Sequence, residues 1–230
     1  MATALLVRHG RTTANAAGLL AGRAVGVSLD PVGRDQAARA GDRLATVSLV
    51  AVVSSPLERC QQTAQHILDR QAGTPYAPVD LDLTECDYGQ WQGRMLSELA
   101  TEDLWRLVQS QPSAVVFPDG ESMAAMQARS VAAVRRLDAA FEAEHGPDAV
   151  WVAVSHGDVI KSILADALGM HLDMFQRIDV GPASVSVVRY GASRPSVHAT
   201  NTDAGDLSWL AKGVHSGDAP VGGGAGHKAP

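Results

Sequence analysis

Two short histidine motifs are the stretches of this sequence whose residue types could do chemistry. The letters RHG stand at residues 8–10 and the letters SHG at residues 155–157. An imidazole is a nucleophile when its attacking nitrogen is unprotonated, a guanidinium binds anions, and a glycine lets a ligand approach the backbone. Together these residue types predict an anion site that contains a nucleophile.

The elements that must position these motifs are buried strands. Residues 3–7, 49–53 and 149–154 are short apolar runs, typical of strands that are buried on both faces of a sheet. Polar residues follow each run directly, and in an open α/β sheet ligands bind at the carboxyl ends of the strands. Because these runs alternate with helical segments, the sequence predicts an α/β domain with a mostly parallel sheet and a polar site at its edge.

A helix start signal places a further cation beside this edge. Ser55, Pro56 and Glu58 form a predicted capping box at the end of the second strand. A helix that begins there carries Arg59 in its first turn. The free amides of a helix N-terminus favour anions, and a guanidinium adds bidentate capacity for phosphate.

Residues that cap or break helices predict the remaining helices and strands. These elements are, in chain order, a helix over residues 31–46 after Asp30, a weak strand over 77–81 that contains Pro78, short helices over 94–110, a long helix to residue 144 after Ser122, a helix over 159–168, and a strand pair over 183–190 and 196–199.

The composition indicates which classes of partner and which cellular compartment to expect. The net charge of −6 and the pI of about 5.7 predict no general attraction to nucleic acid or to acidic membranes. No run approaches the roughly 18 apolar residues of a membrane span. Cys60 and Cys86 belong to no CxxC pair, which indicates buried thiols and a cytoplasmic protein. A homodimer through an exposed apolar helix or edge strand is compatible with the sequence.

The length of 230 residues, of which 46% are hydrophobic, suits one large domain. We assign residues 1–209 to this domain. Residues 210–230 are rich in glycine, alanine and proline and carry hardly any apolar bulk, which predicts a disordered tail with no core to lose.

Five blocks of the sequence resemble the motifs of the histidine phosphatase superfamily, also called the phosphoglycerate mutase-like family. They stand in the order of that family: RHG at residues 8–10 with Asn15 after it, SSPLxRxxQTA at 54–64, ExxxGxWxG at 85–93, DGES at 119–122 and SHG at 155–157. The resemblance covers roughly residues 3–207. It implies a three-layer α/β/α domain around a six-stranded, mainly parallel sheet.

The resemblance also implies roles for individual residues. His9 would be the nucleophile that takes the phosphoryl group, and Glu85 would be the general acid and then the general base. The phosphate oxygens would be bound by a set of cationic and neutral donors: Arg8, Asn15, Arg59, His156 and Gly157. No cofactor is implied, and the sequence has no histidine-rich spacing that would hold a metal ion.

The loops around the site predict a rim for the pocket. Arg11 follows RHG where the family often has glutamate. It adds positive potential at the rim or points to solvent, and Trp91 is either a wall of the pocket or a residue that closes the core. The predicted rim consists of Arg11, Gly22, Arg23 and Trp91.

These observations predict a metal-independent phosphomonoesterase that hydrolyses small phosphorylated metabolites through a phosphohistidine. A phosphoglycerate mutase is the first alternative, although the long basic insertion of cofactor-dependent mutases is missing, and this segment contains Glu98, Glu102 and Asp103 instead. A phosphate-binding or regulatory module without turnover is the second alternative. The sequence does not name the substrate.

Overall fold

The computed structural model describes residues 2–191, 193–205 and 221–225. A five-stranded sheet of order β2-β3-β1-β4-β5 forms its centre. The pairs β1–β3 and β2–β3 are parallel, and the pairs β1–β4 and β4–β5 are antiparallel. The strands are β1 (Thr3–Arg8), β2 (Ala51–Ser54), β3 (Val150–Ser155), β4 (Val185–Tyr190) and β5 (Pro195–Thr202).

Helices connect the strands and cover the sheet. The α-helices are α1 (Thr13–Ala17), α2 (Pro31–Leu44), α3 (Glu58–Leu68), α4 (Leu96–Leu99), α5 (Asp103–Ser110), α6 (Met123–His145) and α7 (Gly157–Ala167). Short 3-10 helices lie at Leu81–Leu83, Gly89–Trp91, Pro112–Ala114, Leu172–Arg177 and Val221–Gly223. Within the described ranges, no helix combines the length and the apolar character that are needed to cross a membrane.

Each face of the sheet has its own hydrophobic core because side chains of a strand alternate between the two faces. In β1, Ala4 and Leu6 join the core that α6 and α7 cover. Leu5 and Val7 join the core that α2 and α3 cover. This alternation confirms the three-layer α/β/α arrangement.

The prediction of six mainly parallel strands is wrong, since the sheet has five strands and is mixed. The segment expected to form a sixth strand does lie beside β2, where the carbonyl groups of Tyr76 and Pro78 accept hydrogen bonds from Val52 N (2.8 Å) and Ser54 N (3.0 Å). These contacts remain isolated bridges. Pro78 has no N–H to donate, so a continuous ladder cannot form through it.

The predicted capping box at the start of α3 is also wrong. The N-cap of α3 is Leu57, which makes no side-chain capping bond. The hydroxyl of Ser55 instead lies 2.8 Å from Nε2 of His156. The hydroxyl that the local sequence assigned to a helix cap therefore contacts His156, which follows the neighbouring strand β3. Arg59 still lies in the first turn of α3.

The predicted tail over residues 210–230 falls mostly outside the described residues. Its described part, residues 221–225, is named the glycine segment below. Val221 is 1% exposed and belongs to the core that α6 and α7 cover. The structure therefore differs from the predicted disordered tail at these five residues, because Val221 supplies apolar bulk that the core accepts.

Two glycines let the loop after β1 pack directly on α2. A Cβ atom at Gly10 would lie 2.3 Å from the carbonyl oxygen of Gly33, and a Cβ atom at Gly33 would lie 1.9 Å from the carbonyl oxygen of Arg11. Both neighbours are backbone atoms, which cannot rotate away as a side chain can. This close approach fixes the backbone on both sides of residue 10.

We expect Gly33→Ala to lower the free energy of unfolding by about 1–3 kcal/mol through overpacking. Helix propensity acts in the opposite direction, because alanine is favoured over glycine by about 1 kcal/mol in a helix interior. Denaturant unfolding measures the difference. The matched control is Gly73→Ala, where a Cβ atom meets nothing within 4 Å. A Gly33→Ala protein as stable as the wild type would contradict the close packing of this loop.

Candidate active site

His9 follows β1 and is buried at the carboxyl edge of the sheet. Its Nδ1 lies 2.7 Å from the carbonyl oxygen of Gly10, which can only accept, so Nδ1 carries the hydrogen. Nε of Arg59 donates to the remaining nitrogen, Nε2, across 3.3 Å. Burial, followed by the charges of Arg59 and Arg8, lowers the pKa of His9 well below its usual range. The imidazole is therefore neutral at pH 7 and keeps a lone pair on Nε2.

Arg59 joins three parts of the site. Besides its bond to His9, its Nη2 donates to the carbonyl oxygen of Gly22 (2.8 Å) and lies 3.2 Å from Nδ1 of His156. Its Nη1 is buried and has no hydrogen-bond partner among the described residues. This Nη1 group is consequently a donor that an anion can use.

His156 is the N-cap of α7 and is fully buried beside His9, with ring centroids 5.3 Å apart. Its Nε2 lies 2.8 Å from the hydroxyl of Ser55 and 3.4 Å from Sγ of Cys60. Burial, followed by the charge of Arg59, lowers the pKa of His156 well below its usual range. The ring is thus neutral, and the positive charge of the site comes from its two arginines.

Glu85 supplies a carboxyl group on the other side of His156. It is buried, its Oε2 lies 4.0 Å from Nδ1 of His156, and its Oε1 accepts a hydrogen bond from Cys86 N (2.9 Å). Burial, followed by the charge of Asp158, raises the pKa of Glu85 to about 7. A carboxyl group with such a pKa can both give and take a proton near neutral pH.

Arg8 is fully buried beneath the glycine segment. Its Nη1 donates to the carbonyl oxygen of Val180 (2.8 Å), and its Nη2 donates to those of Gly224 (2.5 Å) and Gly222 (3.2 Å). Burial is the largest influence on its pKa, which is lowered to about 10, so the guanidinium remains charged at pH 7.

A pocket opens over this group of residues. Of the predicted site residues, it is lined by His9, Asn15, Gly22, Arg59 and Glu85; its other lining residues are Thr12, Leu19, Leu20, Ala21, Tyr88, Leu96, Val221, Gly222 and Gly224. Oδ1 of Asn15 accepts hydrogen bonds from the backbone N–H and the hydroxyl of Thr12, which leaves the Nδ2 amide as its donor. Gly157 is the first residue of α7, directly after His156, and Arg8, His156 and Gly157 are not among the residues that line the pocket.

Three residues of the predicted rim lie elsewhere. Nε of Arg11 donates to Asp30 Oδ2 (2.7 Å), outside the pocket. Arg23 bonds the backbone of the Glu85 loop. Trp91 is 1% exposed in the core, where its Nε1 donates to Glu102 Oε2 (2.9 Å), so it closes the core and forms no wall of the pocket.

The sequence reasoning missed a carboxylate that holds this loop. Oε1 of Glu121 accepts hydrogen bonds from Nη2 of Arg23 (3.0 Å), Nη2 of Arg129 (2.6 Å) and Asp87 N (2.9 Å). Glu121 belongs to the DGES block, which was identified but was given no role. Arg129 lies on α6 outside any motif, so no sequence signal indicated it.

A buried pair beside the second histidine motif was also missed. The hydroxyl of Tyr88 donates to Oδ2 of Asp158 (2.7 Å), and Nζ of Lys161 lies 3.7 Å from Oδ1 of that carboxylate. The signal available was the position of Asp158 directly after SHG. Within the described part of the chain, no group of three or more histidine, cysteine or acidic side chains is placed to hold a metal ion.

Known proteins match the chain over most of its length. A match to the histidine phosphatase superfamily, branch 1, extends over residues 4–203. The first curated relatives include a bifunctional protein of Mycobacterium tuberculosis, which is 31% identical over 198 residues; that match covers 84% of this chain and 51% of the relative. The chain thus spans about half the length of these relatives.

Two further relatives are similar over more of their own length. A glucosyl-3-phosphoglycerate phosphatase of Mycolicibacterium vanbaalenii is 32% identical over 172 residues, which cover 74% of this chain and 75% of that protein. A probable phosphoglycerate mutase of Yersinia pestis is 32% identical over 191 residues, which cover 82% of this chain and 85% of that protein.

The solved structures show the same fold. A mycobacterial glucosyl-3-phosphoglycerate phosphatase in complex with VO3 has a TM-score of 0.77 and 28% sequence identity, and the match covers 87% of this chain and 99% of that one. The family match, the two relatives and this structure agree with the resemblance drawn from the five sequence blocks. The chain therefore belongs to the histidine phosphatase superfamily, branch 1, a family of enzymes.

Proposed function

We propose that the chain is a phosphomonoesterase that hydrolyses small phosphorylated metabolites without a metal ion, through a phosphohistidine at His9. The observation that carries this proposal is the state of His9. Its Nδ1 is held by the Gly10 carbonyl, and its neutral Nε2 faces Nε of Arg59. A neutral imidazole beside a buried guanidinium is a nucleophile placed next to an anion-binding group.

In the first step, Nε2 of His9 attacks the phosphorus atom, a P–N bond forms and the bond to the leaving oxygen breaks. Glu85 gives its proton to that oxygen, so that an alcohol leaves. The free Nη1 donor of Arg59, the Nδ2 amide of Asn15 and the guanidinium of Arg8 bind the phosphate oxygens. Phosphoryl transfer is catalysed mostly by positioning and charge neutralisation of this kind.

In the second step, the ionised carboxylate of Glu85 takes a proton from water, and the water oxygen attacks the phosphohistidine. The P–N bond breaks, inorganic phosphate leaves and His9 returns to its neutral form. The pKa of about 7 at Glu85 allows the same group to act as acid and then as base.

A phosphoglycerate mutase is the second candidate, and the Yersinia pestis relative named as a probable mutase favours it. The phosphatase relative and the acidic residues in place of a basic insertion support the first candidate. The name of that relative makes a phosphorylated glycerate or sugar the first substrate class to test. Supplying 3-phosphoglycerate separates the two: a mutase yields 2-phosphoglycerate, whereas a phosphatase yields free phosphate.

Cys60 and Cys86 are free and buried, which supports the proposal of a cytoplasmic location.

We expect His9→Ala to abolish turnover and to remove the covalent phosphoenzyme, because no other group takes the place of Nε2. Wild-type protein quenched during turnover should carry an acid-labile, base-stable phosphate, and the variant should carry none. His145→Ala, at the exposed end of α6, is the matched control and should keep full labelling. Labelling of a different residue in wild-type protein would overturn the assignment of the nucleophile.

We expect Glu85→Gln to slow the first step by about 10²-fold or more for an alkyl phosphate, since an alkoxide needs its proton. The loss with p-nitrophenyl phosphate should be clearly smaller, because nitrophenolate leaves without a proton. The wild-type rate with the alkyl phosphate should fall as the pH rises through about 7, the pKa of Glu85, since the protonated carboxyl is the acid. Rapid-quench measurement between pH 7 and 9 checks this, because a substrate phosphate with a second pKa of about 6 is then already a dianion.

The control for this variant is Glu98→Gln, which changes an exposed carboxylate and should alter neither rate. Equal losses of Glu85→Gln with both substrates would mean that Glu85 serves binding or structure and that another group donates the proton.

A further inference from the structure

The glycine segment binds the arginine that the proposed reaction needs for phosphate. The carbonyl oxygens of Gly222 and Gly224 both accept from Nη2 of Arg8, at 3.2 and 2.5 Å. Carbonyl oxygens and phosphate oxygens are both acceptors, so the two carbonyls occupy positions at which a guanidinium would hold phosphate. The segment lies outside the range matched by the family, which ends at residue 203.

A second set of contacts anchors the segment. Gly222 N donates to Oδ2 of Asp158 (3.0 Å), the same oxygen that accepts from the hydroxyl of Tyr88. Val221 is buried in the core. Gly222 has a φ of +72°, a conformation that favours glycine, and a Cβ atom there would lie 3.1 Å from Cδ1 of Leu20. The segment is therefore seated by a hydrophobic side chain, a buried carboxylate and its own backbone shape.

These contacts change which groups a substrate can reach. The pocket wall contains Val221, Gly222 and Gly224, whereas Arg8 lies beneath them. We propose that residues 221–225 are an internal ligand of the phosphate site, which a phosphomonoester must displace to reach Arg8. This inference rests on the proposed function, because it takes Arg8 as a phosphate-binding group.

The displacement is favourable for a dianion. A phosphate dianion adds the attraction of opposite charges and can accept two parallel hydrogen bonds from a guanidinium, whereas the glycine segment offers Arg8 only neutral carbonyls. The segment competes because it belongs to the same chain, which gives it an effective concentration of the order of millimolar. If it covers Arg8 for 90% of the time, the apparent Kd of phosphate rises by about tenfold. A segment seated to that extent raises the substrate concentration that the enzyme needs by the same factor.

The variant Gly222→Val tests this competition, because a β-branched side chain is strained at this φ and crowds Cδ1 of Leu20, which disfavours the seated conformation. We expect the variant to bind inorganic phosphate and vanadate more tightly and to show a lower KM, by about tenfold, with little change in kcat. Gly26→Val is the matched control: its φ of +75° is similar, and a Cβ atom there meets nothing within 4 Å. Weaker phosphate binding by Gly222→Val would overturn the inference, since the segment would then contribute to the site.

Hydrogen exchange gives a readout that does not depend on turnover. The N–H of Gly222 bonds a buried carboxylate, so it should be protected in the free enzyme and should lose protection when phosphate or vanadate is added. Unchanged or increased protection in the presence of bound vanadate would overturn the inference. If neither the wild type nor Gly222→Val binds phosphate or vanadate, the proposed phosphate site is refuted.

A second inference rests on a different observation, the bonds to the backbone of Glu85. The carbonyl oxygen of Glu85 accepts from Nε of Arg23 (2.8 Å) and Nη2 of Arg129 (3.1 Å). Glu121 accepts from both of these arginines, and its side chain and that of Arg129 are each 18% exposed. We infer that Arg129 and Glu121 are positioning residues that hold the Glu85 carboxyl where the proposed reaction needs its proton.

Arg129 fastens a longer stretch of this loop. Its Nη1 donates to the carbonyl oxygens of Asp82 (2.7 Å) and Thr84 (2.8 Å). Three backbone attachments within four residues on one planar group leave the loop little freedom beside the pocket. A displacement of about 1 Å in a reacting group can cost about 10²-fold in rate, so this fixation bears directly on proton transfer.

The test compares Arg129→Met with Arg136→Met, which lies on the same helix and removes ion pairs to the side chains of Asp80 and Asp82 but no bond to a backbone carbonyl. We expect Arg129→Met to slow the first step with an alkyl phosphate by about tenfold or more, with little change in KM and a smaller loss with p-nitrophenyl phosphate. Glu121→Gln, which keeps an acceptor oxygen, should show a weaker form of the same contrast and serves if Arg129→Met does not fold. Equal losses with both substrates, or the same losses in Arg136→Met, would overturn the inference. Absence of a phosphoenzyme in the wild type would refute the proposed function instead.

Discussion

The contacts of one buried guanidinium determine how the site is assembled. Arg59, from the first turn of α3, bonds His9 after β1, approaches His156 after β3 and bonds the carbonyl of Gly22 in the long loop. A charge removed from water is costly unless it is hydrogen-bonded, so the fold must bring these separate acceptors to it. Burial, reinforced by this charge, lowers the pKa of both imidazoles and keeps them neutral. One side chain thus joins the parts of the site and adds to the burial that activates its nucleophile.

The carboxylates show how that positive charge is balanced. Glu85 and Asp158 lie buried near Arg8 and Arg59. Burial lowers the pKa of Arg8 and the charges of both carboxylates partly offset this, while the charge of Asp158 adds to burial in raising the pKa of Glu85. Glu85 keeps a proton near neutral pH because burial and Asp158 oppose its ionisation. Glu85, an acid with a raised pKa, and His9, a base with a lowered pKa, therefore line the same pocket, and the environment separates their roles.

The sequence predicted most of the features that local patterns determine. Apolar runs located β1, β2 and β3, a serine cap located the start of α6, and the order of five blocks identified the family. It could not predict what depends on a distant partner: the hydroxyl of Ser55 bonds His156 across 101 positions instead of capping α3. Pro78 was identified, but its effect on the sheet depends on which N–H the neighbouring strand needs. Arg129 donates to backbone carbonyls and Glu121 accepts from a backbone N–H, and such contacts leave no trace in residue type.

The glycine segment contacts a buried guanidinium through its backbone and not through its side chains. Gly222 and Gly224 meet the guanidinium through main-chain oxygens, which every residue possesses, and only the buried valine and the positive φ restrict the side chains. A segment that binds through its backbone can change most of its side chains and still bind. What must be kept is the backbone conformation, and sequence identity hardly records it. A low-complexity stretch can therefore make a specific contact that a sequence comparison does not detect. Such a contact is recognised from the hydrogen-bond partners of a buried charged group.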